Sequence, residues 1–325
     1  MTWSPDPVGF LRDLEAKPAA LRALAAALDA HRPWEAVLTD APARIVLLGM
    51  GSSRFAALAA AARLRAAGLH AVAEYASSTA VHPGGPGTLA VGISASGETE
   101  ETVEALGRHA AAGSTTVALT NRPGSALAAR AAHVVDLAAG EERGGVACRT
   151  YQHTLVLLLA LEAHVTGGGS APLGGVVRAA ADATEDLLAR RDTWLPRATD
   201  LLTGAGRAFV LAPAERLANA EQGALMLREG PRLHADACET GDWLHVDVYL
   251  TRPLDYRALL FAGSPSDGRV MAWIRERRGS VVSVGADVLG AAAHIRYPGD
   301  DHPLVALLTE SLVPELVAAT AWAQG

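Results

Sequence analysis

Ser94, Ser96 and Thr99 cluster around Gly97 in the run Gly-Ile-Ser-Ala-Ser-Gly-Glu-Thr-Glu-Glu-Thr over residues 92–102. Hydroxyls in this arrangement can hold a phosphate. A helix start leaves its first backbone N–H groups unpaired and carries partial positive charge, so hydroxyls and a glycine there can close around an anion without a lysine. The same residues admit a plainer reading, in which Ser96 or Thr99 caps the helix and Glu98, Glu100 and Glu101 are favoured by its dipole. A second loop of the same kind, Gly49-Met50-Gly51-Ser52-Ser53, favours the cradle. Two small polar loops at the ends of parallel strands can converge on one ligand at the carboxyl edge of a sheet.

The elements that would position these loops are legible on either side. Ile45–Leu48 and Thr88–Ile93 are apolar runs suited to buried strands, and helix formers follow from Phe55 to Ala67 and from Glu100 onward. Residues 8–31 carry leucines at near-helical spacing, and further strands are expected near Val117 and Val134. A long helix is expected over 176–195, broken or kinked by Pro196. Later strands fall near 208–211, 259–261, 281–284 and 294–296. Strands separated by helix-length segments imply an α/β fold with right-handed crossovers, here two doubly wound parallel-sheet halves of related topology. The expected division is residues 1–170, a first half with an N-terminal helix, and 171–325, a long connecting helix with the second half. Gly167–Gly175 reads as the linker, or as a loop of the first half with the long helix as connector.

Composition bounds the function. The chain has 325 residues, 50% of them hydrophobic, enough for two domains with aliphatic cores. A net charge of -7 argues against a nucleic-acid or anionic-membrane partner, since both reward basic patches. The two cysteines, Cys148 and Cys238, form no paired motif and suit a reducing cytoplasm. Residues 1–6 lack a signal-peptide pattern, and no uninterrupted apolar run is read as reaching membrane-spanning length. The 11 histidines are scattered without a zinc-enzyme pair, so no metal site is expected. No nucleotide cofactor is expected either: neither glycine-rich loop has a P-loop lysine, and Gly49-Met50-Gly51-Ser52-Ser53-Arg54 lacks the third glycine of a dinucleotide fingerprint.

Five blocks in order resemble the sugar isomerase (SIS) domain family, in particular the isomerase half of glucosamine-6-phosphate synthase. Leu48–Ser53 is similar to the family's Gly-Thr-Ser loop, and Ile93–Thr99 to its Ser-Gln-Ser-Gly-Glu-Thr phosphate loop. Asn121–Ser125 resembles Asn-x-Pro-Gly-Ser, and Gly145–Cys148 resembles Gly-Val-Ala-Ser. Gly223–Glu229, with His234–Ala237, Gly241, Asp242 and His245, tracks the active-site segment of the second half. The resemblance implies that Gly51, Ser52, Ser53, Ser94, Ser96, Thr99, Ala147 and Cys148 bind the phosphate or sugar of a sugar 6-phosphate. It implies Glu229 as the base that moves a proton beside a carbonyl, and His245, supplied by the neighbouring subunit of a homodimer with a shared active site, as the ring-opening group. His234 is expected to bond a backbone group in a turn.

Departures from the family pattern shape the expected reaction. Met226 stands where the synthase has lysine, Gln222 where it has glutamate, Ala95 where it has glutamine, and Cys148-Arg149-Thr150 where it has Ser-Thr-Lys; Val246-Asp247 replaces the Gly-Pro after the histidine. A lysine-bearing tail after the last helix is not found, nor is a glutaminase domain with its cysteine after Met1, so glutamine-dependent amination is not expected of this chain alone. The sole lysine is Lys17, and a Schiff base with the sugar is not expected. Three activities follow as expectations: an isomerase or deaminase on an amino-sugar or hexose 6-phosphate; a lyase or dehydratase using the same base; and a non-catalytic sugar-phosphate sensor.

Overall fold

The computed structural model describes residues 6–38, 41–168 and 171–324, so part of the expected linker and the N-terminal stretch before Asp6 lie outside the described residues. The elements in chain order are α1 (Pro7–Glu15), α2 (Lys17–Ala30), β1 (Arg44–Gly49), α3 (Ser52–Ala66), β2 (Ala71–Tyr75), β3 (Thr88–Ile93), α4 (Glu100–Ala111), β4 (Thr115–Thr120), β5 (His133–Asp136) and α5 (Arg149–Val165). They continue with α6 (Ala171–Ala189), α7 (Arg191–Thr203), β6 (Arg207–Ala212), α8 (Leu217–Glu229), β7 (His234–Glu239), α9 (Thr240–Trp243), β8 (Arg257–Phe261), α10 (Asp267–Glu276), β9 (Ser280–Val284), β10 (Ala293–Ile295), α11 (Pro303–Thr309) and α12 (Leu312–Gln324).

Two five-stranded parallel sheets confirm the doubly wound α/β fold. Their orders are β2-β1-β3-β4-β5 and β10-β9-β8-β6-β7. Read from its first strand, each sheet places the second strand on one side and the third on the other, so the topology is the same twice. Each therefore has a switch point, between β1 and β3 and between β6 and β8, where a crevice opens at the carboxyl edge.

The central strands were expected because they are apolar runs buried on both faces; β3 is buried at every position. Two strands were not expected, and they are equivalent: β2 and β7 each flank the first strand at the sheet edge. Their sequences, AVAEY and HADACE, are partly exposed and carry charges, so no apolar run marks them. Two helix boundaries also differ. Pro196 lies inside α7, where only one intrahelical bond is lost, and the helix continues to Thr203. The interruption falls instead at Arg190.

The chain forms two compact units. One comprises Ala20–Glu141 and Ala147–Val177; the other comprises Met1–Ala19, Glu142–Val146 and Arg178–Gly325. The division thus falls inside α6 rather than at residue 170, and α1 groups with the later half. In that unit the Phe10 ring lies 6.1 Å from Trp322 and Lys17 donates to Glu315, both groups fully buried. Its core stacks Phe209 on Tyr256 at 4.3 Å, and Trp243 Nε1 donates to Tyr256 Oη at 2.6 Å. The segment Pro303–Gln324, counted across α11 and α12, is long and apolar enough to span a bilayer, and 83% of that window is buried within the protein. Its carboxylates Glu310 and Glu315 pair with Arg216 and Lys17.

Candidate functional site

The first switch point brings the two small polar loops together. Parallel pairing of Leu48 with Gly92 sets the exits of β1 and β3 side by side. From β1 the chain turns at Gly51, whose φ of 52° favours glycine, and enters α3, which has no side-chain cap. Ser52 and Ser53 occupy its first turn, half-buried, so hydroxyls and backbone donors share one end of the helix.

The β3 loop is folded by its own hydroxyls. Gly97 N donates to Ser94 Oγ at 3.1 Å, Glu98 N donates to Ser96 Oγ at 3.2 Å, and Ser94 Oγ meets Thr99 Oγ1 at 3.0 Å. Thr99 holds the N-cap position of α4, yet its side chain makes no capping bond. The capping alternative for Thr99 therefore does not describe the geometry: its hydroxyl faces Ser94 instead. Gly97 is required twice over. Its φ is 67°, and a Cβ there would overlap the Ser125 hydroxyl and lie 2.9 Å from Thr120 Oγ1. Leu127 N donates to Gly97 O at 2.9 Å, which ties the loop to the segment after β4. Ser125 and Thr120 thus support the cradle from beneath; the Asn121–Ser125 block carried the only sequence signal for this.

The remaining candidates of this unit differ in exposure. Ala147 is half-buried, while Cys148 is fully buried at the start of α5 and forms no disulfide. The Arg149 guanidinium is buried and donates to the Glu141 carbonyl.

In the other unit, Glu229 ends α8 half-buried, and no protein group hydrogen-bonds its carboxylate among the described residues. Burial pushes its carboxyl above the usual range, and the nearby Arg232 and Arg228 oppose that shift. Its place at a helix C-terminus also disfavours negative charge. Met226, one turn earlier, is fully buried. His245 follows α9 and is exposed. The topology separates these two. Helix α8 leaves the carboxyl edge after β6 and returns to the amino edge, where the chain enters β7, whereas His245 lies beyond the carboxyl end of β7. The six residues of β7 put roughly 17 Å between those edges.

Near His245, burial first and then Asp236 raise the Asp247 carboxyl, and burial with Asp247, Asp242 and Glu239 pushes the Cys238 thiol up to about 12. That thiol is not a nucleophile near neutral pH. His234 corrects an expectation: it lies in β7, not in a turn, and its Nε2 bonds Asp236 Oδ2 at 2.9 Å rather than a backbone group. No group of three or more His, Cys, Asp or Glu side chains is placed to hold a metal ion among the described residues.

Comparison with known proteins agrees with the fold. Residues 37–163 match the SIS domain. A glutamine–fructose-6-phosphate aminotransferase (isomerizing) of Aeropyrum pernix is 31% identical over 220 residues, 65% of this chain and 36% of the relative. The matched stretch is thus little more than a third of that relative's length. Among solved structures, the C-terminal domain of glucosamine-fructose-6-phosphate aminotransferase from Francisella tularensis superposes with a TM-score of 0.81 at 18% identity, covering 97% of this chain and 95% of that one. A tagatose-6-phosphate ketose/aldose isomerase from Escherichia coli also gives 0.81 at 18% identity, covering 99% and 96%.

Proposed function

Because the chain carries an SIS domain over residues 37–163, homologous to part of the isomerizing aminotransferases, we propose that it is a phosphosugar enzyme, an isomerase or deaminase of an amino-sugar or hexose 6-phosphate. The observation that carries this reading is the paired cradle at the first switch point, where Ser53, Ser94, Ser96 and Thr99 supply hydroxyls beside two helix starts. Glu229 is the base: a half-buried carboxylate whose pKa burial raises can take a proton from the carbon beside a carbonyl and return it to the neighbouring carbon. No lysine assists, since Lys17 is buried against Glu315. Met226, which stands where the synthase has lysine, is fully buried and supplies no ammonium to stabilise an oxyanion, which favours a reaction that needs little such help.

Ser96→Ala and Thr99→Ala test the cradle. We expect binding of fructose 6-phosphate or glucosamine 6-phosphate, followed by calorimetry, to weaken about tenfold, with binding of the unphosphorylated sugars unchanged. Equal losses for both forms would count against phosphate recognition. NMR of the products separates the chemistries: a dehydrated product points to a lyase, and binding without turnover points to a sensor.

A homodimer with a shared active site belongs to the same proposal. Glu229 and His245 of one chain lie at opposite edges of their sheet, which supports a histidine supplied by a second copy. Mixing Glu229→Gln and His245→Ala chains after co-refolding should then restore about a quarter of the parental rate, because half the dimers are mixed and each has one intact site. A mixture no more active than its components would refute the shared site.

A further inference from the structure

The segment Glu142–Val146 is numbered within the first half of the sequence but packs in the unit formed by α1 and residues 178–325. It leads directly into Ala147 and Cys148. Helix α1 holds this segment by its backbone. The Asp13 carboxylate, 4% exposed, accepts from Gly144 N at 2.8 Å, and Asp6 N donates to Gly144 O at 3.3 Å. The contact is backbone against backbone: a Cβ on Gly144 would lie 2.7 Å from Phe10 Cβ and overlap the Phe10 main chain. Gly9 is also close, since a Cβ there would stand 3.0 Å from the Arg143 carbonyl. Asp6 also caps α1, accepting from Val8 N and Gly9 N at 3.0 Å, so the helix that carries Asp13 has a fixed start. Phe10 in turn meets Trp322 of α12.

From this we infer that Asp13 is a positioning residue for the Gly145–Cys148 loop, through its hold on the segment that leads into that loop. A buried carboxylate that accepts from the Gly144 N–H fixes the direction in which the chain leaves Gly144, and a shift of that peptide is passed to the next few residues. The inference rests on the sugar-phosphate reading, and its test has a readout independent of any sugar.

In a Cys238→Ser background, Cys148 is the only thiol, and it is buried. Asp13→Ala should speed its alkylation by iodoacetamide about tenfold and weaken glucosamine 6-phosphate binding by a similar factor. Asp13→Asn keeps an acceptor oxygen and should restore both to within about threefold. The KM for that sugar should rise more than kcat falls, because Asp13 touches no reacting atom. If Asp13→Ala does not fold, hydrogen exchange in Asp13→Ser, whose shorter side chain does not span to Gly144 N, decides: the amides of residues 144–148 should exchange faster while those of α12 do not. Unchanged Cys148 reactivity in Asp13→Ala, or unchanged exchange at 144–148 in Asp13→Ser, overturns the inference. Faster alkylation with no sugar-phosphate binding in the parent protein would instead overturn the functional reading and leave the clamp standing.

Discussion

Glu229→Gln is expected to lower turnover of a sugar 6-phosphate by about two to four orders of magnitude while binding survives. The amide keeps the size and polarity of the side chain but cannot accept the proton, so the loss should fall on kcat. The pH profile gives a second signature. Burial raises the Glu229 carboxyl above its ordinary value of 4.5, against the opposing charges of Arg232 and Arg228. A general base works ionised, so the rate should climb with pH through that raised value. The climbing limb should lie above the ordinary carboxylate range and vanish in the variant. A Glu229→Gln protein with parental kcat would remove this residue from the mechanism.

Glu315→Gln should cost about 3–5 kcal/mol of stability at pH 8, because it leaves the ammonium of Lys17 buried without its counter-charge. Both side chains are fully buried and bonded to each other. Replacing the pair together, Lys17→Met with Glu315→Leu, should be far milder, since the desolvation penalty disappears with the charges. Urea melts of the three proteins measure this, and a Glu315→Gln protein within about 1 kcal/mol of the parent would show that the pair is not an isolated buried charge couple. The pH dependence has a definite sign. Burial pushes Glu315 up to about 7, with Lys17 opposing, whereas an unfolded glutamate titrates near 4.5. Between those values the native state holds a proton that the unfolded chain has released. Stability from this group therefore falls as pH rises through that window, and the slope is absent in Glu315→Gln.

The residues that drew attention first are those the structure assembles most simply. Ser94, Ser96, Gly97 and Thr99 are contiguous, and a strand-to-helix turn is built from neighbours in sequence, so its hydroxyl network could be expected from the residues alone. The loop over 49–53 was legible for the same reason. Edge strands were not. Tyr75 in β2, like His234 and Asp236 in β7, is exposed, and the charged Glu74 beside it is only half-buried, so no apolar run marks either strand. His234 was misplaced on that account, and Pro196 was given more power to break α7 than a single lost hydrogen bond confers.

What the amino-acid sequence determined by itself is local: the alternation of strands and helices, the doubled α/β topology, and two turns rich in hydroxyls at helix starts. These depend on periodicity, propensity and residues a few positions apart. Only the tertiary structure decided which distant residues meet. It paired the sole lysine with a glutamate 298 residues later and placed Gly144 under α1. It also put Glu229 and His245, 16 positions apart in sequence, at opposite ends of one strand. The physical reason is that burial and charge pairing act through space, and one edge strand is enough to separate neighbours in the chain by the full width of a sheet.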